Sequence, residues 1–235
     1  MTIRAASPST AGEIRRKIRR SPNRFFRSAE FDGTRTAIEK ALGRLVEDGE
    51  LLRIRHGLYW RGVNTPFGMA PPNPRTVVAE YADGYPVGPA GISAANLLGL
   101  STQVPRIPEY AVPTTVPPLD RIRLVRRDAR RSNGRRAARL TKSEVAVLEV
   151  LDSWEAVVEI GASEALERLG VILRDGTVSP ERLAKAAATE PARVRERLRL
   201  VLEFAGEATL ANGVRPASTR SVTERALQSL GGAAA

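Results

Sequence analysis

The chain has 235 residues, 42% of them hydrophobic, with a formal net charge of +11 and no cysteine. That length holds two modest domains, and the lack of cysteine excludes disulfides and thiolate metal sites. No apolar run is long enough to cross a bilayer, and the opening MTIRAASPST lacks the apolar core of a secretory signal, so the expectation is a cytoplasmic protein with no membrane partner.

The charge is unevenly placed. Residues 1–61 hold 14 Lys/Arg against 7 Asp/Glu, and residues 121–142 hold 10 against 1. The stretch between them and the C-terminal third are mildly acidic. Two separate positive blocks suit a polyanion footprint better than a uniformly solvated surface does.

In chain order, Thr10 to Ile18 reads as a first helix and Ser28 to Phe31 as a short second one. Asp32-Gly33 makes the turn into a third, and Phe25, Phe26 and Phe31 are the expected core plugs. The third helix is the clearest: Ile38, Ala41, Leu42 and Leu45 recur at helical spacing. Thr34 precedes it as N-cap, and Gly49 follows as a stop. Its other face carries Arg35, Thr36, Glu39, Lys40, Gly43 and Arg44. Beyond it, Leu51, Leu52 and Ile54, then Leu58, Tyr59 and Trp60, suit two strands joined at His56-Gly57. A helix running into a basic hairpin is the second half of a winged helix-turn-helix, which sets the helix in the major groove of duplex DNA and the hairpin beside the backbone. The expected DNA contacts are Thr34, Arg35, Thr36, Lys40 and Arg44 from the helix, and Arg53, Arg55, His56 and Arg61 from the hairpin. Arg35, in the first helical turn, is the first choice for a base-edge contact, because arginine pairs bidentately with guanine. A small three-helix domain that binds protein is the alternative.

Residues 63–74, rich in proline, read as a linker between a domain at 1–62 and one at 75–230, with a disordered tail at 231–235. In the second domain the expected elements are a helix over 75–82, a short strand over 85–89, a buried helix over 93–100, and strands at 109–113 and 121–126. DARRSNGRR reads as a loop. A helix capped by Thr141 or Ser143 runs to about Trp154, and helices follow at 162–169, 181–188 and 192–205. The segment 212–230 either packs on the last of these or wanders. The fold class expected is α+β: a winged helix-turn-helix, then a mixed α/β domain with a helical C-terminal part. Arg121, Arg123, Arg126, Arg127, Arg130, Arg131, Arg135 and Arg136 form a candidate second basic patch. The acids Glu144, Glu149, Asp152 and Glu155 read as a solvent face.

There is little sign of catalytic chemistry. His56 is the sole histidine and lies in the hairpin turn. No phosphate-binding glycine loop, nucleophile elbow or paired-histidine zinc motif occurs. No enzyme activity, cofactor or metal is expected, although a carboxylate-metal nuclease fused to a DNA-binding domain needs few residues.

The segment SPNRFFRSAEFDGTRTAIEKALGRLVEDGELLRIRHGLYW resembles the N-terminal winged helix of AbiEi-like antitoxins from type IV toxin–antitoxin systems, and ISAANLLGLSTQVP followed by EYAVPT looks like the domain after it. The resemblance covers roughly residues 10–126. It implies a transcriptional autorepressor that binds inverted repeats in its own promoter and counters a nucleotidyltransferase-like toxin. It places the recognition-helix start at Thr34, Arg35 and Thr36 and the wing at Arg53, Arg55 and His56. Residues 143–235 match no motif of that family, which leaves open a protein-binding antitoxin that blocks its toxin directly, or a solitary regulator without a toxin.

Overall fold

The computed structural model describes residues 10–231 and divides into two compact units, meeting in sequence between Asn73 and Pro74. The fold class is α+β.

In the first unit, helix α1 (Thr10–Arg19) buries Ile14 and Ile18, one turn apart. Strand β1 (Arg24–Arg27) follows, then a 3-10 turn (Ser28–Glu30) in which the Glu30 carboxylate accepts from the Arg27 N–H at 2.8 Å. Helix α2 (Arg35–Glu47) begins at Thr34, whose hydroxyl accepts from the Ala37 N–H at 3.3 Å. It ends at Gly49, whose φ of +69° reverses the chain at little steric cost. The buried face of α2 is Ile38, Ala41, Leu42 and Leu45, as the spacing predicts. Strands β2 (Leu52–Arg55) and β3 (Leu58–Arg61) form a hairpin whose turn uses Gly57 at φ +74°.

The sheet order is β1-β3-β2, all antiparallel, with a register irregularity between Arg53 and Arg55. The sequence pattern misses β1. Four residues give alternation too little length to register, and adjacent phenylalanines look like loop plugs. In the strand they face opposite ways. Phe26 is fully buried among Ile14, Ile18, Phe31 and Leu42, while Phe25 meets the Trp60 ring at 4.8 Å.

The expected linker is not one. Asn64–Thr65 (β4) and Gly68–Met69 (β5) pair antiparallel, and the Trp60 indole N–H donates to the Ala70 carbonyl at 2.9 Å. Pro66 lies in the turn of this hairpin, and Pro71 and Pro72 follow it.

The second unit opens with α3 (Pro74–Ala82) and builds a small sheet from β6 (Gly88–Pro89), β7 (Glu109–Pro113) and β8 (Arg123–Arg127). Strand β7 is central, antiparallel to β6 and parallel to β8. Helix α4 (Gly91–Leu97) lies between β6 and β7 in sequence. The core organises around α6 (Lys142–Val157), in which every residue from Glu144 to Asp152 is buried. Its N-cap is Thr141, with Glu144 completing a capping box. Ser153, whose hydroxyl donates back to the Glu149 carbonyl at 2.8 Å, marks a kink. Helices α7 (Ala162–Arg174), α8 (Pro180–Ala187), α9 (Ala192–Phe204), α10 (Ala208–Gly213) and α11 (Arg220–Gln228) complete the unit, so 220–228 is helical and does not wander. The expected tail lies outside the described residues except for Gly231.

DARRSNGRR is a helix as well: α5 (Ala129–Ala137), capped by the Asp128 carboxylate accepting from the Arg131 N–H at 2.9 Å. It escapes a search for apolar periodicity because its inward face is Arg131 and Arg135.

Candidate nucleic-acid interface

The N-terminal end of α2 and the β2–β3 turn come together in the first unit. His56, at the turn, places Nε2 3.3 Å from Arg35 Nη2 and Nδ1 3.2 Å from Arg53 Nη2. Arg35 Nε donates to Glu39 Oε1 at 2.9 Å, and the same oxygen lies 3.6 Å from His56 Nε2. Helix and hairpin are therefore joined by a polar chain: Arg35, Glu39, His56, Arg53. The hydrogen bond from Arg35 holds the Glu39 carboxyl below its usual range against the opposing effect of desolvation, with the neighbouring Arg35, His56 and Arg53 adding to the shift. Reciprocally, the hydrogen bond and charge of Glu39 raise Arg35. A cleft of about 400 Å³ opens beside this chain, with Phe31 and Ile38 in its lining and Ser28, Arg35, Glu39 and His56 contributing polar groups.

The other predicted contacts divide. Thr36, Lys40 and Arg44 are exposed on α2, and Arg53, Arg55 and His56 on the hairpin. Thr34 is also exposed, and its hydroxyl serves as the N-cap. The side chains of Lys40 and Arg44 make no hydrogen bond or ion pair with the described residues, so their charges are available to a ligand. Arg61 is a correction. It is half-buried, and its Nη1 donates to the Glu50 carbonyl at 3.1 Å, bracing the chain between α2 and β2. Glu39 is the residue to which the sequence reading gave no role; its position four residues after Arg35 is the signal that could have found it.

The second basic block is divided between the interior and the surface. Arg127, Arg131 and Arg135 point into the second unit against Glu149, Asp152 and Glu190. Arg135 is 2% exposed; its Nε donates to Glu190 at 2.7 Å and its Nη1 to Glu149 at 2.8 Å. Burial works against its charge, but the two carboxylates outweigh it and raise its pKa. Glu149 mirrors this: burial pushes it up, and Arg127 and Arg135 bring it below the ordinary value. The acids expected on a solvent face are the counter-ions. Glu144 is buried too and accepts from Arg182 Nε at 2.8 Å and from the Ser179 N–H at 3.0 Å; Glu155 alone of the four is exposed.

On the surface of that unit, Arg123 pairs with Glu109 at 2.8 Å, Arg126 donates to the Val116 carbonyl at 3.3 Å and Arg130 to that of Ala188 at 3.4 Å. Arg136 stacks over Tyr85 at 4.7 Å, and Arg121 is exposed in a turn at φ +59°. Arg127, Arg131 and Arg135 recur at four-residue spacing because they neutralise buried acids. A sequence lacks that information until the helix has its neighbours.

Among the described residues, no group of three or more His, Asp or Glu side chains is placed to hold a metal ion, and no helix is long and apolar enough to cross a membrane.

The chain is thus an α+β protein in which the exposed side chains of Arg35, Lys40, Arg44, Arg53 and Arg55 lie on one helix and hairpin of its first unit. A family described as a family of unknown function (DUF6088) matches residues 22–112, from just after α1 into β7. No curated protein matches the chain. Among solved structures it is similar to the crystal structure of RV2827C protein from Mycobacterium tuberculosis, at 17% identity over 86% of this chain and 78% of that one, with a TM-score of 0.41.

Proposed function

We propose that the first unit is a winged helix-turn-helix that reads duplex DNA, and that the protein is a transcriptional regulator. The observation that carries this is the convergence of Arg35 at the start of α2 with Arg53 and His56 at the hairpin turn, while Lys40 and Arg44 stand unpaired along the outer face of α2. The element order supports it: helix, short strand, turn, helix and two-stranded hairpin, with the hairpin beside the N-terminal end of the last helix. In such domains that helix enters the major groove N-terminus first. Arg35 then faces base edges, Lys40 and Arg44 face phosphates as the helix leaves the groove, and Arg53, Arg55 and His56 lie along the backbone.

The resemblance to AbiEi-like antitoxins extends this reading to repression of the protein's own promoter through inverted repeats, and to countering a nucleotidyltransferase-like toxin. The second unit, whose arginines are largely engaged internally, then serves the antitoxin role rather than a second DNA footprint. The test of the core reading is selection from a randomised duplex pool, followed by anisotropy titration of the enriched duplex and a scrambled one. Enrichment of a defined sequence supports it, and no binding to any duplex at moderate salt overturns it. Co-expression with the product of the adjacent gene tests the antitoxin extension separately.

A further inference from the structure

We infer that Glu39 is a positioning residue for sequence reading: with His56 behind it, it fixes the Arg35 guanidinium so that one edge stays open to a guanine. This rests on the DNA-reading proposal and adds to it a residue whose charge opposes DNA binding. A carboxylate on a surface meant for a polyanion lowers affinity unless it has another task. The geometry supplies one.

Glu39 Oε1 takes the Nε–H of Arg35 at 2.9 Å, which uses the side edge of the guanidinium. What remains is the end-on pair, Nη1 and Nη2, which matches the O6 and N7 acceptors of guanine. Nη2 lies 3.3 Å from His56 Nε2, so the state of that ring matters. A neutral imidazole has one acceptor nitrogen. It therefore accepts from Arg35 Nη2 or from Arg53 Nη2 but not from both, and Nη2 keeps a second N–H for a base in either case.

Exposure agrees with this division. The Arg35 side chain is 82% exposed and that of Glu39 37%, so the acid sits behind the arginine. An exposed pair one helical turn apart does little for stability. Its effect is on orientation: arginine has several rotatable bonds, and holding it in one geometry beforehand reduces the ordering cost when it meets a base.

The experiment uses the full chain, the duplex enriched by selection and a scrambled duplex at one salt concentration. Glu39→Ala is expected to bind the scrambled duplex more tightly than wild type, because a negative charge is gone, while the ratio of enriched to scrambled affinity falls at least about fivefold. Glu39→Gln keeps an oxygen that accepts from Arg35 Nε, so it should also bind scrambled DNA more tightly yet recover most of the ratio. In an Arg35→Ala background, Glu39→Ala should leave the ratio unchanged. Should Glu39→Ala lower the thermal midpoint enough to obscure binding, Glu39→Leu removes the acceptor while keeping bulk and helix propensity. An unchanged ratio in the Ala or Leu variant, or an equal fall of the ratio with and without Arg35, overturns the proposal. If no duplex is enriched by wild type, the DNA-reading proposal itself has failed, and this one falls with it.

Discussion

The indole of Trp60 donates to the carbonyl of Ala70 across 2.9 Å, and this bond places the β4–β5 hairpin inside the first unit. Gly62 permits it: a Cβ there would lie 2.2 Å from the Ala70 oxygen and 2.8 Å from the Trp60 indole nitrogen. A fragment ending at residue 62 should therefore be less stable than one ending at residue 73, because it exposes one face of Trp60 and leaves its N–H unpaired. Chemical denaturation of both fragments, followed by Trp60 emission, checks this. Equal midpoints would make the hairpin an ornament. Gly62→Ala in the full chain should destabilise the same unit by about 1–3 kcal/mol, the range for overpacking a filled site.

Arg35→Ala should cost about 1–3 kcal/mol on the enriched duplex and relax preference at one base pair. Lys40→Ala and Arg44→Ala should weaken enriched and scrambled duplexes about equally, each flattening the salt dependence by roughly one unit of log–log slope. Parallel titrations decide between the roles. Equal losses for Arg35→Ala on both duplexes would make it a phosphate contact.

The buried arginines predict the opposite phenotype. Arg135→Ala leaves Glu149 and Glu190 without a principal counter-ion in the core of the second unit and should cost about 3–5 kcal/mol of stability. The salt slope of DNA binding should not change. Arg130→Ala, which removes one exposed hydrogen bond to the Ala188 carbonyl, should shift stability by less than about 1 kcal/mol. Trp154 emission in a Trp60→Phe background reports the second unit alone. A flattened salt slope in a folded Arg135→Ala variant would contradict the placement.

Glu50 gives the first unit an acid-sensitive joint. Hydrogen bonds from Arg19 and Arg15 outweigh its desolvation and hold its pKa at about 2, against an ordinary 4.5. Because the folded value is depressed, the stability it confers is complete above about pH 4.5 and is lost as the pH falls toward 2. The bonds tie α1 to the segment between α2 and β2. Thermal midpoints read from Trp60 in a Trp154→Phe background should fall across that window, and Glu50→Gln should reduce the fall. The same pH dependence in Glu50→Gln would assign it to other carboxylates.

Where burial is apolar, the sequence by itself determined the outcome. Ile38, Ala41, Leu42 and Leu45 fall on the inner face of a helix, Thr34 caps it, and Gly49 and Gly57 take backbone angles that few other residues allow. The hydrophobic effect is nearly independent of partner, so periodicity alone reveals which face turns inward. What only the tertiary structure decided is polar. Arg131 and Arg135 look like surface arginines, and Glu149 and Asp152 look like surface acids, until α5, α6 and the chain before α9 bring them together. A charge carries no mark of its burial; its position depends on a counter-ion supplied from elsewhere in the chain, 14 residues away for Arg135 with Glu149 and 55 for Arg135 with Glu190. The same holds for Glu39, whose role is set by a hairpin turn 17 positions later that puts His56 beside it.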